Sequence, residues 1–247
     1  MNEVIRQLKA RKSVRAFEKT AITEEEKREI LLSAAAAPTA GNQQLYTILD
    51  ITDQGLKEKL VKTCDGQPMI ARAPMVLIFC ADCKKWYDGF RAAGCEPRKP
   101  AAGDLMLAVC DALIAAQNAV TAAESLGIGS CYIGDVMENC SRQRELLRLP
   151  EYVFPAAMVV FGRPTGQQQE RPKPERADLR YIVHENGYQP LTDRQLEEMW
   201  TPRAGLAGYS TWMKKFCERK YNSGFSREMS RSVEEYLSQY GQKEESC

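Results

Sequence analysis

The chain carries one histidine, His184, in 247 residues. Serine-hydrolase triads, Cys-His dyads and two-histidine metal sites all need an imidazole beside a second group, so the composition argues against most hydrolytic chemistry and against a metal centre. His184 itself reads as a hydrogen-bonded structural residue. Charge of one sign is also missing: 34 Lys plus Arg against 33 Asp plus Glu leave +1, which gives no global field to recruit nucleic acid or an acidic membrane. The start, Met1-Asn-Glu-Val-Ile-Arg6, lacks the basic and then apolar segments of a signal peptide, and neither end carries a lipidation motif. A cytoplasmic location is therefore expected. No apolar run is unbroken over the length of a bilayer, because Leu105 to Ala123 is interrupted by Asp111, Gln117 and Asn118. That stretch reads as a buried core helix. Nine cysteines, an odd number spread through the chain, suit reduced thiols better than a disulfide framework.

Hydrophobic residues at 44% and charged residues at 27% are what a globular protein contains. Val4, Ile5 and Leu8 share one face of a short helix ending near Arg11. Thr23 with Glu26 makes a capping box for a second helix that Pro38 closes. Leu45 to Thr52 reads as a strand and Leu56 to Thr63 as a helix. Pro74 to Cys80 is a continuous apolar run of the kind found in strands covered on both faces. A long helix over Asp104 to Leu126, ended by Gly127, should be the spine of the core. Ile128 to Ile133 and Ala156 to Phe161 are further strands with a helix over Ser141 to Leu149 between them. Gly162 to Arg176 holds three prolines and no periodicity and reads as a long loop, and beyond Pro190 the pattern is helical over Thr192 to Trp200, Tyr209 to Tyr221 and Arg227 to Tyr240.

Two basic groups stand out. Arg11-Lys12-Ser13-Val14-Arg15 sets three cations and a hydroxyl within five residues, which is what a phosphate monoester needs, although such a run is also a common solvated face. Arg171-Pro-Lys173-Pro-Glu-Arg176 lies in the long loop. It is either a proline-stiffened surface linker or, if it folds back on Arg11, the other half of one anion site. Gly127-Ile-Gly129-Ser-Cys-Tyr-Ile-Gly134 follows a helix and lacks dinucleotide-fingerprint spacing, so it marks close approach of a flat ligand or another backbone. Cys80-Ala-Asp-Cys83 has redox-motif spacing without the second pair or the helix start that metal or thioredoxin chemistry requires. Trp86, Tyr87 and Phe90 are either core or a pocket wall.

Taken in order, Arg11-x-Ser13-x-Arg15, Pro38-Thr39-Ala-Gly-Asn42-Gln-Gln44, Gly66-Gln67, Gln117-Asn118, Ala123-Glu-Ser-Leu-Gly127, Tyr132-Ile-Gly134, Lys173-Pro and Val183-His-Glu-Asn186 form a pattern. With it the chain resembles the FMN-dependent nitroreductase superfamily, and within it the oxygen-insensitive NADPH nitroreductase and flavin reductase group. The resemblance implies an α+β fold, a mixed sheet wrapped by helices around a long central helix, in an intertwined homodimer. It further implies an FMN-binding core over residues 1–190 and a helical extension over 191–247 of the same domain. By position, Arg11 and Ser13 would bind the FMN phosphate with Lys173 and Arg176, while Lys12 and Val14 line the same turn. Arg15 would meet the pyrimidine edge of the ring, Gln67 the ring edge, and Tyr132, Ile133 and Gly134 the N5 side. Thr39 would come from the other subunit. Arg219 would grip the 2′-phosphate of NADPH. No side chain is expected to act as catalytic acid or base, because flavin N5 carries the chemistry in passing a hydride from NADPH to nitroaromatic or quinone acceptors. A flavin reductase that releases reduced flavin, and a non-catalytic FMN-binding redox sensor, are the alternatives. Asp135 stands where glycine is frequent in the group.

Overall fold

Asn2 accepts the Ile5 amide on its side chain and so opens α1 (Glu3–Ala10), and the Thr23–Glu26 capping box opens α2 (Glu24–Ala35). The computed structural model describes residues 1–241. They fall into two compact units, one of Met1–Pro172 with the segment from Glu228 onward, the other Lys173–Arg227.

In the first unit β1 (Tyr46–Asp50), β2 (Met75–Asp82), β3 (Gly129–Ile133) and β4 (Val153–Gly162) make one sheet in the order β1-β2-β4-β3. All three pairings are antiparallel. The parallel character implied by the resemblance is confined to a single bridge between Ser13 and Ser130. Every residue of β2 and β4 is buried, because both faces of the sheet are covered, as the unbroken apolar run in β2 requires. One face packs in a core with α2 and α6 (Ala102–Ser125); the other packs with α3 (Gln54–Thr63), α4 (Met69–Arg72) and the start of the turn after β3.

Ala108, Ala112, Ala115, Ala116, Ala119 and Ala123 give α6 a small, fully buried face, which lets a 24-residue helix lie close against the sheet. By length and composition α6 could cross a membrane, yet this face is packed in the core. Its other side leaves Met106 61% and Leu107 52% exposed, with Leu113 and Ile114 beside them.

Between the strands run α5 (Lys84–Ala92) and α7 (Cys140–Leu147), and after β4 comes a five-residue helix, α8 (Gly166–Glu170), inside the stretch expected as loop. The glutamines at 167–169 are adequate helix formers between flanking prolines, so one turn forms there. In the second unit α9 (Asp193–Ala204) starts at a Thr192–Gln195 capping box and continues through Pro202, and α10 (Tyr209–Phe216) runs into a wide π turn at Cys217–Tyr221. The last long helix, α11 (Gly224–Leu237), returns the chain to the first unit. There Ser232 accepts the Cys140 amide at 2.8 Å and donates to the Met137 carbonyl at 2.6 Å, and the buried Tyr236 ring meets Phe154 edge-on.

Candidate functional site

The segment Arg11–Arg15 lies along the outer edge of β3. Ser13 bridges to Ser130, and the Val14 amide donates to the Ser130 carbonyl at 2.9 Å. The side chain of Val14, 4% exposed, occupies the space above Gly129, where a Cβ would stand 2.5 Å from its Cγ2. Glycine is thus needed at 129 for a close backbone approach, as the glycine-rich sequence suggests, and what approaches is this segment.

The stretch after β4 holds the segment from its other side. The Lys12 ammonium donates to the carbonyls of Gln169, at 2.6 Å, and Arg171. The Arg171 guanidinium donates to the Ser13 carbonyl at 2.8 Å, and the Arg15 amide donates to Gln168 Oε1 at 3.1 Å. Of the second basic group, then, Arg171 folds back on the first. The motif alone gives Arg171 no role; its contact with Ser13 does.

The electrostatics converge on the same place. Nη1 of Arg11 is buried without a hydrogen-bond partner, and so is the hydroxyl of Ser130. Burial pushes the Tyr132 phenol up to about 12, against the pull of the Arg11 charge, and the phenol donates to Gln117 Oε1 at 3.4 Å. Burial likewise raises the Cys131 thiol, while Arg15, Ser13 and Arg11 act in the opposite sense. Two arginines, a serine, a thiol and a phenol therefore share one end of β3.

The remaining expected residues are placed as follows. Gln67 is half-buried in the turn before α4, and among the described residues its side-chain amide has no partner. Ile133 is buried in the sheet, and Gly134 is exposed at the start of the turn that contains Asp135. Thr39 sits on a separate loop, where its hydroxyl accepts the Gln44 amide at 3.1 Å. That loop is pinned by Asp111, 3% exposed, whose two carboxylate oxygens accept the amides of Ala40 at 3.0 Å and Leu45 at 3.1 Å. Lys173, Arg176 and Arg219 belong to the second unit; Arg219 lies over the Phe216 ring at 5.4 Å. His184 accepts the Gln189 amide at 3.0 Å, consistent with a structural role. The thiols of Cys80 and Cys83 are buried and held protonated, each pushed up to about 12 by burial. Trp86, Tyr87 and Phe90 wall a cavity of about 260 Å³.

A buried guanidinium nitrogen without a partner is a donor and a charge awaiting an anion, and leaving it so costs several kcal/mol unless one arrives. With Ser13 two positions along, on a backbone fixed from both sides, it fits a phosphate monoester. Among the described residues no group of three or more His, Cys, Asp or Glu could hold a metal. An α+β sheet covered on both faces, with an arginine–serine segment bonded to its edge strand, is an arrangement that could hold a phosphorylated cofactor.

The family description "Nitroreductase family" matches residues 8–163. The oxygen-insensitive NADPH nitroreductase of Salmonella typhimurium is 33% identical over 86% of this chain and 88% of its own length. The FMN reductase [NAD(P)H] of Bacillus subtilis is 30% identical over 96% and 91%. Among solved structures, the NADPH:FMN oxidoreductase of Vibrio harveyi complexed with NAD+ superposes with a TM-score of 0.81 at 25% identity, covering 96% of this chain and 98% of that one. The chain belongs to the nitroreductase family.

Proposed function

We propose that this protein is an FMN-dependent oxidoreductase, a cytoplasmic homodimer that takes reducing equivalents from NADPH and passes them to nitroaromatic or quinone-type acceptors in two half-reactions. The observation that carries the reading is the unpartnered, buried Nη1 of Arg11 next to Ser13, since it calls for a phosphate at the edge of β3. Held there by Arg11 and Ser13, FMN would supply the hydride chemistry between nucleotide and acceptor.

The chain's own contribution is placement and charge. Arg11 and Ser13 anchor the phosphate. Arg15, exposed at the end of the segment, offers a cation to the pyrimidine edge of the ring, which favours the reduced, negatively charged form. The free amide of Gln67 and the backbone of Tyr132, Ile133 and Gly134 orient the ring. No acid or base is demanded of a side chain, in keeping with a single histidine. Arg219 takes the role that the resemblance gives it, toward the 2′-phosphate of NADPH. Dimerisation is supported by the exposed apolar residues of α6 together with Val4, Ile5 and Leu8 on α1, since a patch of this kind marks a partner surface.

The similarity to the FMN reductase of Bacillus subtilis favours a second reading, release of reduced flavin as the product. An anaerobic visible spectrum, followed during separate titrations with NADPH and NADH, tests the enzyme class. Bleaching of a bound flavin by NADPH is the expected result. A protein that takes up no FMN overturns the reading, and bound flavin inert to both nucleotides points to a redox sensor. Turnover on nitrofurazone, a quinone and added FMN then separates the two enzymatic readings.

A further inference from the structure

The contacts between residues 12–15 and 168–171 have an unusual chemistry. Lys12 reaches across to two carbonyls of the stretch after β4, and Arg171 reaches back to the carbonyl of Ser13. Each segment thus supplies a cation to the other's backbone. Among the described residues neither Lys12 nor Arg171 forms a salt bridge, so the contacts that hold these two cations are to carbonyl dipoles. Like charges carried on two segments bonded to each other repel, and an anion bound beside them offsets the repulsion. Closure of the two segments and binding of an anion must therefore strengthen each other, by reciprocity of coupled equilibria.

We propose that Lys12 and Arg171 are positioning residues that form a two-way clasp, closing the stretch after β4 onto the phosphate segment and so governing how firmly the FMN phosphate is retained. Two of the three Lys12 N–H donors are engaged with carbonyls, so its part is to hold the segment, whereas Arg11 meets the ligand. The Gln168 side chain, which accepts the Arg15 amide, and the Ala16 carbonyl, which accepts the Thr165 amide at 3.3 Å, extend the same seam. The ligand side of this inference rests on the FMN reading; the clasp itself does not.

The experiment uses the full chain, with Lys12→Met, Arg171→Gln, the double variant and Arg171→Lys. In the apoprotein, hydrogen exchange at the Val14 and Arg15 amides should quicken at least tenfold in each single variant. The double variant should be no worse than the worse single one, because either change opens the same clasp. In parallel, FMN binding followed by fluorescence quenching should weaken at least tenfold while riboflavin, which has no phosphate, changes less than twofold. Arg171→Lys should restore part of both effects, which separates the clasp from a general loss of folding. Unchanged exchange at the two amides, or equal losses for FMN and riboflavin, would overturn the proposal. Failure of the wild-type chain to take up FMN defeats the functional reading instead, and the exchange measurement still decides the clasp.

Discussion

The methyl groups of Val14 fill the place that a side chain on Gly129 would take, with Cγ2 2.5 Å from an ideal Cβ. Real Cβ contacts do not reach this distance, and Val is stiff about χ1, so one of the two backbones must give way to any side chain at 129. Gly129→Ala should cost about 1–3 kcal/mol through overpacking. Because the displaced element is the Arg11–Arg15 segment, FMN affinity should fall more than riboflavin affinity. A thermal melt and the two affinities check both halves, and a variant with wild-type flavin binding would separate the notch from the site.

Asp111 links the central helix to the loop of Thr39. Its buried carboxylate is the acceptor for both the Ala40 and Leu45 amides, and hydrogen bonds to a charged group are worth about 1.5–3 kcal/mol each. In Asp111→Asn one oxygen becomes an NH₂ that faces an amide donor. The expected loss is about 2–4 kcal/mol, with faster exchange at Ala40 and Leu45 and slower at no other position. Urea unfolding together with exchange mapping would show it.

Much of this was legible in the chain. Apolar periodicity, the Thr23–Glu26 capping box and Gly127 point to the helices and strands around the core, since each depends on local chemistry, whereas the Thr192–Gln195 box emerged only with the structure. Asp111 was visible as a break in an apolar run, but its purpose was not, because its partners lie 66 and 71 positions away. Helix α5 is not legible for a related reason: the Asp82 carboxylate that accepts the Lys84 and Lys85 amides belongs to the end of the buried strand β2, so no separate capping motif precedes the helix. The convergence of the two basic groups could be posed as a possibility from charge. That Arg171 is the residue returning to Ser13 depended on a one-turn helix that prolines on both sides concealed.

Glu138 supplies a pH dependence. It is 5% exposed beside the turn after β3, and burial, followed by the charges of Asp135, Asp65 and Glu228, raises its carboxyl to about 7. A free glutamate titrates near about 4.3, so the folded state binds the proton more tightly than the unfolded one. The stability linked to this proton is complete below the unfolded pKa and is lost as pH rises through the folded one. Glu138→Gln should flatten the melting profile between about pH 5 and pH 8 and stabilise the protein at the alkaline end by on the order of 1–2 kcal/mol, about 2–4 °C in Tm per kcal/mol for a chain of this size. Parallel profiles for variant and wild type would refute the assignment.

Arg219 provides the test of nucleotide choice. In the second unit its guanidinium lies over Phe216, whose ring stacks on Trp212 at 5.0 Å, and Trp212 stacks in turn on Trp200 at 6.3 Å. A cation over an aromatic face loses less freedom on meeting a ligand than one waving in solvent, so in the proposed role of Arg219 the ladder would lower the cost of meeting the 2′-phosphate. A charge-assisted contact to the 2′-phosphate is worth about 1.5–3 kcal/mol, which is about 10- to 150-fold in affinity. Arg219→Gln should therefore raise KM for NADPH by at least tenfold and leave KM for NADH within twofold, with kcat unchanged for both. Phe216→Ala should move the NADPH value the same way by a smaller factor, because the charge remains while its support is gone. If both nucleotides lose affinity equally, the residue holds the fold of its unit and the 2′-phosphate is recognised elsewhere.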